Sequence, residues 1–239
     1  IPRDEEIFEY LLKKASKFKS EKVLSFGRNI KSTFRIIENS KQKKDVKIFL
    51  SKKKITLTKH VNLSGWEENI SIILGLVETL ELKVKKLENK VVNLQPIEGR
   101  GKMYNLKISN IQITLIDESY NSNPSSLKLS IDNLKKYKNK HNKIICIIGD
   151  MLELGKDSNE MHRGIVKHIK KVKPNIVYTV GKFSELIKKN LPKKFNPSHF
   201  YDYKDVFSVL MEVISDGDVV MIKGSNSSNV NKISEKLLE

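Results

Sequence analysis

The sequence is poor in cysteine, in arginine and in long apolar runs, and each shortage excludes something. Its single cysteine, Cys146, rules out a disulfide framework and a cysteine metal site. Cys146 lies within Ile144-Ile145-Cys146-Ile147-Ile148, where a buried, inert thiol is expected. No apolar run reaches the ~18 residues of a membrane span. The longest, around Ile70 to Val77, is interrupted by Ser71 and Gly75. No signal peptide opens the chain, so the cytoplasm is the expected compartment. The first residue is Ile1 rather than Met, as expected of a fragment. A G-x-x-G-K-[ST] phosphate loop is also missing, which excludes a self-contained P-loop site.

What is present is a polar chain with enough apolar residues to fold. It has 239 residues, 38% hydrophobic and 31% charged, and Leu, Ile, Val and Phe recur in blocks. Lys plus Arg is 45 and Asp plus Glu is 28, giving +17. Such a charge invites a nucleic-acid partner. Only Arg3, Arg28, Arg35, Arg100 and Arg163 are arginines, however, which leaves 45 − 5 = 40 lysines. Planar, bidentate readout favours Arg. The excess therefore reads as solvated lysine surface, and no nucleic-acid partner is expected.

Spacing divides the chain in two. Asp4-Glu5-Glu6 is expected to open a helix with acids in its first turn and Ile7, Leu11, Ala15 and Phe18 on its apolar face. Short strands are expected at Val23 to Phe26, Phe34 to Ile37, Val46 to Leu50 and Ile55 to Thr58, the last two joined by a hairpin tip at Ser51–Lys54. From Asn69 to Leu82, the residues Ile72, Ile73, Leu76, Val77 and Leu80 follow helical spacing. A second short helix is expected over Val84 to Leu94. The breaker Gln95-Pro96-Ile97-Glu98-Gly99-Arg100-Gly101 then sets a domain boundary, giving domains 1–101 and 102–239.

The second part alternates strand and helix. Strands are expected at Ile111 to Ile116, Lys143 to Ile148, Ile176 to Val180, His199 to Tyr201 and Asp218 to Ile222. Helices are expected from Asn123-Pro124, which supplies an N-cap and a proline at the first position, and over Ser158 to Val172, Phe183 to Asn190, Asp205 to Ile214 and Val230 to Leu238. This is an α/β pattern: a Rossmann-like, mostly parallel sheet flanked by helices, preceded by a smaller β-hairpin and helical region. In such folds the chemistry sits at the carboxyl ends of the strands.

Those ends carry polar, glycine-containing turns. They are Asp117-Glu118-Ser119-Tyr120-Asn121-Ser122-Asn123-Pro124, Gly149-Asp150-Met151-Leu152-Glu153-Leu154-Gly155, and Lys223-Gly224-Ser225. Carboxylates followed by amides and hydroxyls suit ribose hydroxyls or a polar substrate, and a cation beside free N–H groups suits an anion. The same residue types are also ordinary βα-turn and capping residues.

At these turns the sequence resembles the Mur ligases, the ATP-dependent amide-bond ligases of peptidoglycan precursor synthesis, and within them the branch that adds D-Ala-D-Ala. Pro96-Ile97-Glu98-Gly99-Arg100-Gly101 is similar to the loop closing that family's ATPase domain. Asp117–Pro124 is similar to its D-[DE]-S-Y-N-A-N-P segment. Gly149–Gly155 followed by His162 is similar to its GDMLELG…H segment, and Lys223-Gly224-Ser225 to its KGS turn. The resemblance implies that residues 1–101 are the end of the central ATP-binding domain and 102–239 the C-terminal domain. It implies nucleotide contacts from Asn69 (adenine), Arg100 (phosphates), Glu118 (ribose) with Asp117 beside it, and Ser119, Tyr120 and Asn121. It implies a substrate-facing rim of Asn123, Asp150, Glu153, Lys223 and Ser225, with Arg100 in the catalytic role. Closure around Gly99-Arg100-Gly101 would bring Arg100 and Glu118 to the ATP together.

The implied substrates are ATP, UDP-MurNAc-tripeptide and D-Ala-D-Ala, with Mg2+ held by residues upstream of this chain and none here. The implied reaction phosphorylates the tripeptide's terminal carboxylate, and the dipeptide amine then displaces phosphate. A monomer is expected, and a chain without the phosphate loop is expected to be inactive alone. The alternatives are another Mur or folylpolyglutamate-type ligase, or a lysine-rich nucleic-acid-binding module.

Overall fold

The computed structural model describes residues 1–18, 22–38, 45–50, 54–58, 67–83 and 96–239. The chain forms two compact units, Ile1–Gln95 and Pro96–Glu239, dividing ahead of the 101/102 boundary expected from the sequence. The expected hairpin tip through Ser51–Lys53 and the expected helix at Val84 to Leu94 lie outside the described residues.

The first unit holds α1 (Phe8–Ser16), a four-stranded sheet and α2 (Glu67–Thr79). The strands β1 (Phe26–Gly27), β2 (Phe34–Glu38), β3 (Asp45–Phe49) and β4 (Lys54–Thr58) pair in that order. The first pair is parallel and the other two are antiparallel. Phe34, Ile36, Ile48, Leu50 and Ile55 form the core with Ile70 and Leu74 of α2.

Two sequence expectations are corrected here. On α2 the buried face is Ile70, Leu74 and Gly75, while Ile73, Leu76 and Leu80 are exposed. The helix is apolar almost all round, so its spacing fits two faces. Gly75 decides between them, because a Cβ there would lie 2.3 Å from the Phe34 ring. At the other end, α1 starts only at Phe8, its one buried residue, and Phe18 lies past its end at 80% exposure. Asp4 therefore does not charge the helix. Its carboxylate accepts the Arg28 and Asn29 amides, across the turn where Gly27 adopts φ +136°.

The second unit is a six-stranded sheet in the order β5-β6-β10-β7-β8-β9. The strands are β5 (Lys102–Ile108), β6 (Ile111–Glu118), β7 (Ile144–Gly149), β8 (Ile176–Val180), β9 (Pro197–Phe200) and β10 (Val219–Lys223). All adjacent pairs are parallel except β5–β6. The helices are α3 (Pro124–Asn133), α4 (Ser158–Val172), α5 (Glu185–Lys189), α6 (Tyr203–Val213) and α7 (Asn231–Leu238).

One core contains Leu127 and Ile131 of α3, Ile165 and Ile169 of α4 and Ile187 of α5. The other contains Val206 and Leu210 of α6 with Ile233 and Leu237 of α7. Alternate residues of the strands feed the two cores, as in Cys146 and Ile148 against Ile145 and Ile147. Strand β7 is buried on both faces, and burial pushes the Cys146 thiol up to about 12. The expected α/β class with its mostly parallel sheet holds. Strand β5, which the sequence reading passed over, adds an antiparallel edge through a two-residue turn in which Ser109 takes φ 53°.

Candidate functional site

The carboxyl ends of β6, β7 and β10 meet at the centre of the sheet, with β10 pairing on both sides. The close approach of their turns depends on glycine. A Cβ on Gly224 would sit 2.9 Å from the Gly149 Cα and 2.6 Å from the Ser228 hydroxyl, so neither turn tolerates a side chain without moving.

At the end of β6, two adjacent carboxylates take opposite sides, as strand alternation requires. Asp117 is buried, 4% exposed. Its Oδ2 accepts the Gly99 amide at 2.9 Å. Its Oδ1 accepts the Ser119 amide at 3.2 Å, the Ser119 hydroxyl at 2.7 Å and the Ser234 hydroxyl of α7 at 2.9 Å. Glu118 turns towards α3 instead, where Ser130 donates to its Oε2. Lys223 at the end of β10 meets the same oxygen at 3.1 Å, with only 4% of the lysine side chain exposed against 22% for the glutamate. The Lys223 ammonium also donates to the Asn121 carbonyl at 3.0 Å. The glutamate's charge and, more strongly, burial push the nearby Tyr137 phenol up.

The turn before β5 is fastened to this strand end. The Gly101 amide donates to the Asp117 carbonyl at 2.8 Å and the Tyr120 amide to the Gly99 carbonyl at 3.0 Å. Gly99 holds φ +70°, and a Cβ on it would lie 2.8 Å from the Tyr120 Cβ. Arg100 projects from this turn, exposed, with its guanidinium 4.1 Å above the half-exposed Tyr120 ring. Gly99-Arg100-Gly101, around which closure is expected, forms a hydrogen-bonded turn within the second unit.

The following turn is anchored as heavily. Asn121 accepts the Ser122 amide at 2.8 Å. Asn123 caps α3 by accepting the Ser126 amide at 2.8 Å, and the Ser126 hydroxyl accepts the Asn123 amide in return. After β7, the Asp150 carboxylate accepts three successive amides, Lys182, Phe183 and Ser184, at 2.8, 3.0 and 2.7 Å. Gly181 leaves room for it at φ +110°. Ser225 accepts the Leu152 amide at 3.0 Å, and its own amide donates to the Asp150 carbonyl at 2.9 Å. Glu153 is exposed on a left-handed residue, φ 61°.

His162 is wholly buried. Its Nε2 accepts the Met151 amide at 3.0 Å, which leaves Nδ1 as the donor to the Ser158 carbonyl at 2.7 Å. Desolvation pulls its pKa down, so it is a neutral pin holding this turn to α4.

The residues singled out by the sequence therefore fall into groups. Glu118, Tyr120, Asn121, Asn123 and Arg100 gather around the β6 end, with Lys223 beneath them. Asp117, Asp150, Lys223 and Ser225 are buried with their polar atoms engaged by the protein. Asn69 is exposed in the first turn of α2, in the other unit. Sequence reasoning missed Ser130 and Ser234. Each is a buried hydroxyl on an otherwise apolar helix face, beside Leu127 and Ile131 in one case and Ile233 and Leu237 in the other, and that interruption was the available signal. Among the described residues no group of three His, Cys, Asp or Glu is placed to hold a metal ion. None of their helices is long and apolar enough to cross a membrane.

Fold and site together define a doubly wound α/β domain with a polar rim at the carboxyl ends of its parallel strands. The family described as "Mur ligase, glutamate ligase domain" matches residues 105–226, just over half of the chain, and the chain belongs to the Mur ligase family. The UDP-N-acetylmuramoyl-tripeptide–D-alanyl-D-alanine ligase of Rickettsia prowazekii is 25% identical over 213 residues, covering 88% of this chain and 46% of that protein. Its namesake from Haemophilus influenzae is 30% identical over 145 residues, 58% of this chain and 30% of that one. The chain thus spans less than half the length of these relatives. Among solved structures, the MurF ligase of Thermotoga maritima in complex with ADP superposes with a TM-score of 0.73 at 21% identity, covering 96% of this chain and 51% of that one. A folylpolyglutamate synthase/dihydrofolate synthase of Yersinia pestis shares the fold at a TM-score of 0.66 and 12% identity.

Proposed function

We propose that this chain is part of an ATP-dependent amide-bond ligase that adds D-Ala-D-Ala to UDP-MurNAc-tripeptide during peptidoglycan precursor synthesis. The observation that carries the reading is the agreement between the turn residues and the named activity of the matching relatives. The ADP held by the Thermotoga enzyme supports a nucleotide at the equivalent fold. In this reading the sequence-expected domain of residues 1–101 serves ATP binding up to Gln95, and its last turn, 96–101, sits with residues 102–239 in the C-terminal domain of a cytoplasmic, monomeric enzyme. The chain without a phosphate loop does not turn over alone.

The chemistry assigns each exposed group a task. The Arg100 guanidinium is an exposed cation of the rim and stabilises charge on the phosphoryl group being transferred. Glu118 keeps one oxygen occupied by Lys223 and Ser130, and its carboxylate accepts the ribose hydroxyls. Tyr120 and Asn121 flank the nucleotide, and Asn69 takes the adenine. Asn123 and Glu153 face the dipeptide, over a floor shaped by Asp150, Lys223 and Ser225. No residue described here is assigned to Mg2+.

Transfer of the γ-phosphoryl group to the tripeptide carboxylate gives an acyl phosphate and ADP. The dipeptide amine attacks its carbonyl, the C–N bond forms, the C–O bond to phosphate breaks and the amine releases a proton. Orientation and electrostatic stabilisation supply most of the acceleration. In the full-length protein, Arg100→Ala should lower ATP-dependent ligation of D-Ala-D-Ala by about 10²–10³-fold, the scale of losing one charge-stabilising donor. Undiminished turnover sinks the role given to Arg100.

A further inference from the structure

We propose that Asp117 is a positioning residue that holds Arg100 to the β6 end, and not a nucleotide ligand. The inference rests on the reading above, in which Arg100 acts on the phosphates. Asp117 is 4% exposed and its carboxylate receives four protein donors. The donor on Oδ2 is the amide of Gly99, the residue before Arg100. The backbone repeats the connection, from the Gly101 amide to the Asp117 carbonyl and from the Tyr120 amide to the Gly99 carbonyl. Arg100 is thereby bracketed by two glycines bonded to one aspartate, and its guanidinium settles over the ring of Tyr120 at 4.1 Å. Ser234 ties the same carboxylate to α7, which makes the mount rigid. An exposed arginine loses much side-chain freedom when it acts, and a fixed backbone and a ring to lie on reduce that loss.

The geometry offers a selective way to break the mount. In Asp117→Asn the amide oxygen keeps the three donors now on Oδ1. The amide nitrogen then faces the Gly99 N–H, donor against donor. In the full-length protein this variant should lose about tenfold or more in kcat with KM for ATP within about twofold, the pattern of a lost transition-state interaction. Exchange of the Gly99 amide should accelerate. On an Arg100→Ala background, Asp117→Asn should cost no further activity, since it acts through Arg100.

Gly99→Ala attacks the same turn from the other side, through its φ of +70° and the 2.8 Å approach to Tyr120, and should reproduce the kcat loss. It serves if Asp117→Asn does not fold. A rise in KM for ATP with kcat intact, or an Asp117→Asn effect that persists on the Arg100→Ala background, overturns the proposal in favour of direct nucleotide contact. So does wild-type kcat in a folded Asp117→Asn, or in Gly99→Ala where Asp117→Asn does not fold. Arg100→Ala alone reads the underlying assignment: full turnover there fails the functional reading, whereas loss there without loss in Asp117→Asn fails only this inference.

Discussion

Asp117 and Glu118 are neighbours on one strand and have little else in common. One is sunk between the 97–101 turn and α7 and accepts only protein donors. The other faces α3, shares one oxygen between a serine and a buried lysine, and keeps part of its surface in water. Strand alternation puts them on opposite faces, and the faces differ in what they offer. The α7 side supplies N–H and O–H groups enough to satisfy a carboxylate, so a charge there builds structure. The α3 side engages Oε2 and leaves the glutamate side chain 22% exposed, the exposure that the proposed ribose contact requires. An acidic residue at a strand end is a site or a strut according to how many donors the fold already points at it.

The largest effect that sharpens this contrast is expected from Asp117→Ala. It strands two amides and two hydroxyls in a buried place, and should cost about 2–4 kcal/mol of stability in urea unfolding of this chain. A cost no greater than that of Glu118→Ala would erase the distinction. Glu118→Ala should come next, at about 1–3 kcal/mol, because it leaves the Lys223 ammonium buried with one carbonyl. Adding Lys223→Met should recover part of that loss, and a double variant less stable than Glu118→Ala would mean the pair is not what holds the lysine.

The smallest effect concerns pH. Burial keeps the folded-state pKa of His162 below its ordinary value of 6.5. As pH falls through that value the unfolded chain gains a proton that the folded chain refuses, so stability declines from about pH 7 downward. His162→Gln should show a shallower decline between pH 7 and 5 in thermal melts. An unchanged slope would mean that the imidazole is not the group titrating.

Much of the fold was legible in the sequence. The run Ile144 to Ile148 has the uninterrupted apolar character of a strand covered on both faces, and the expected helix from Ser158 to Val172 is α4, with Ile165, Val166 and Ile169 on its buried face. Asn123-Pro124 announced the cap of α3. Failures came where local pattern admits two answers. Helix α2 is apolar on too many sides for spacing to choose a face, and Gly75 chooses it only through contact with Phe34, far away in sequence. Strand β5 alternates Tyr104, Leu106 and Ile108 with Asn105 and Lys107, an edge-strand pattern that the reading passed over because it follows directly on the Gly99-Arg100-Gly101 breaker.

The site was legible as a set of turns and not as a set of roles. Nothing local to Asp150 reveals that three amides from Lys182 to Ser184 converge on it, and nothing local to Asp117 reveals Ser234. Roles of buried polar groups depend on partners brought together by the sheet order, which one-dimensional spacing does not encode.

The most direct test of the central claim is a competition among amine acceptors. The full-length protein is given ATP and UDP-MurNAc-tripeptide with D-Ala-D-Ala and single amino acids together, and the amide products are counted. A D-Ala-D-Ala ligase makes the dipeptide adduct in large excess, about a hundredfold or more, with ADP and phosphate released in step. Preference for a single amino acid, or ADP release with no dipeptide adduct, would contradict the account.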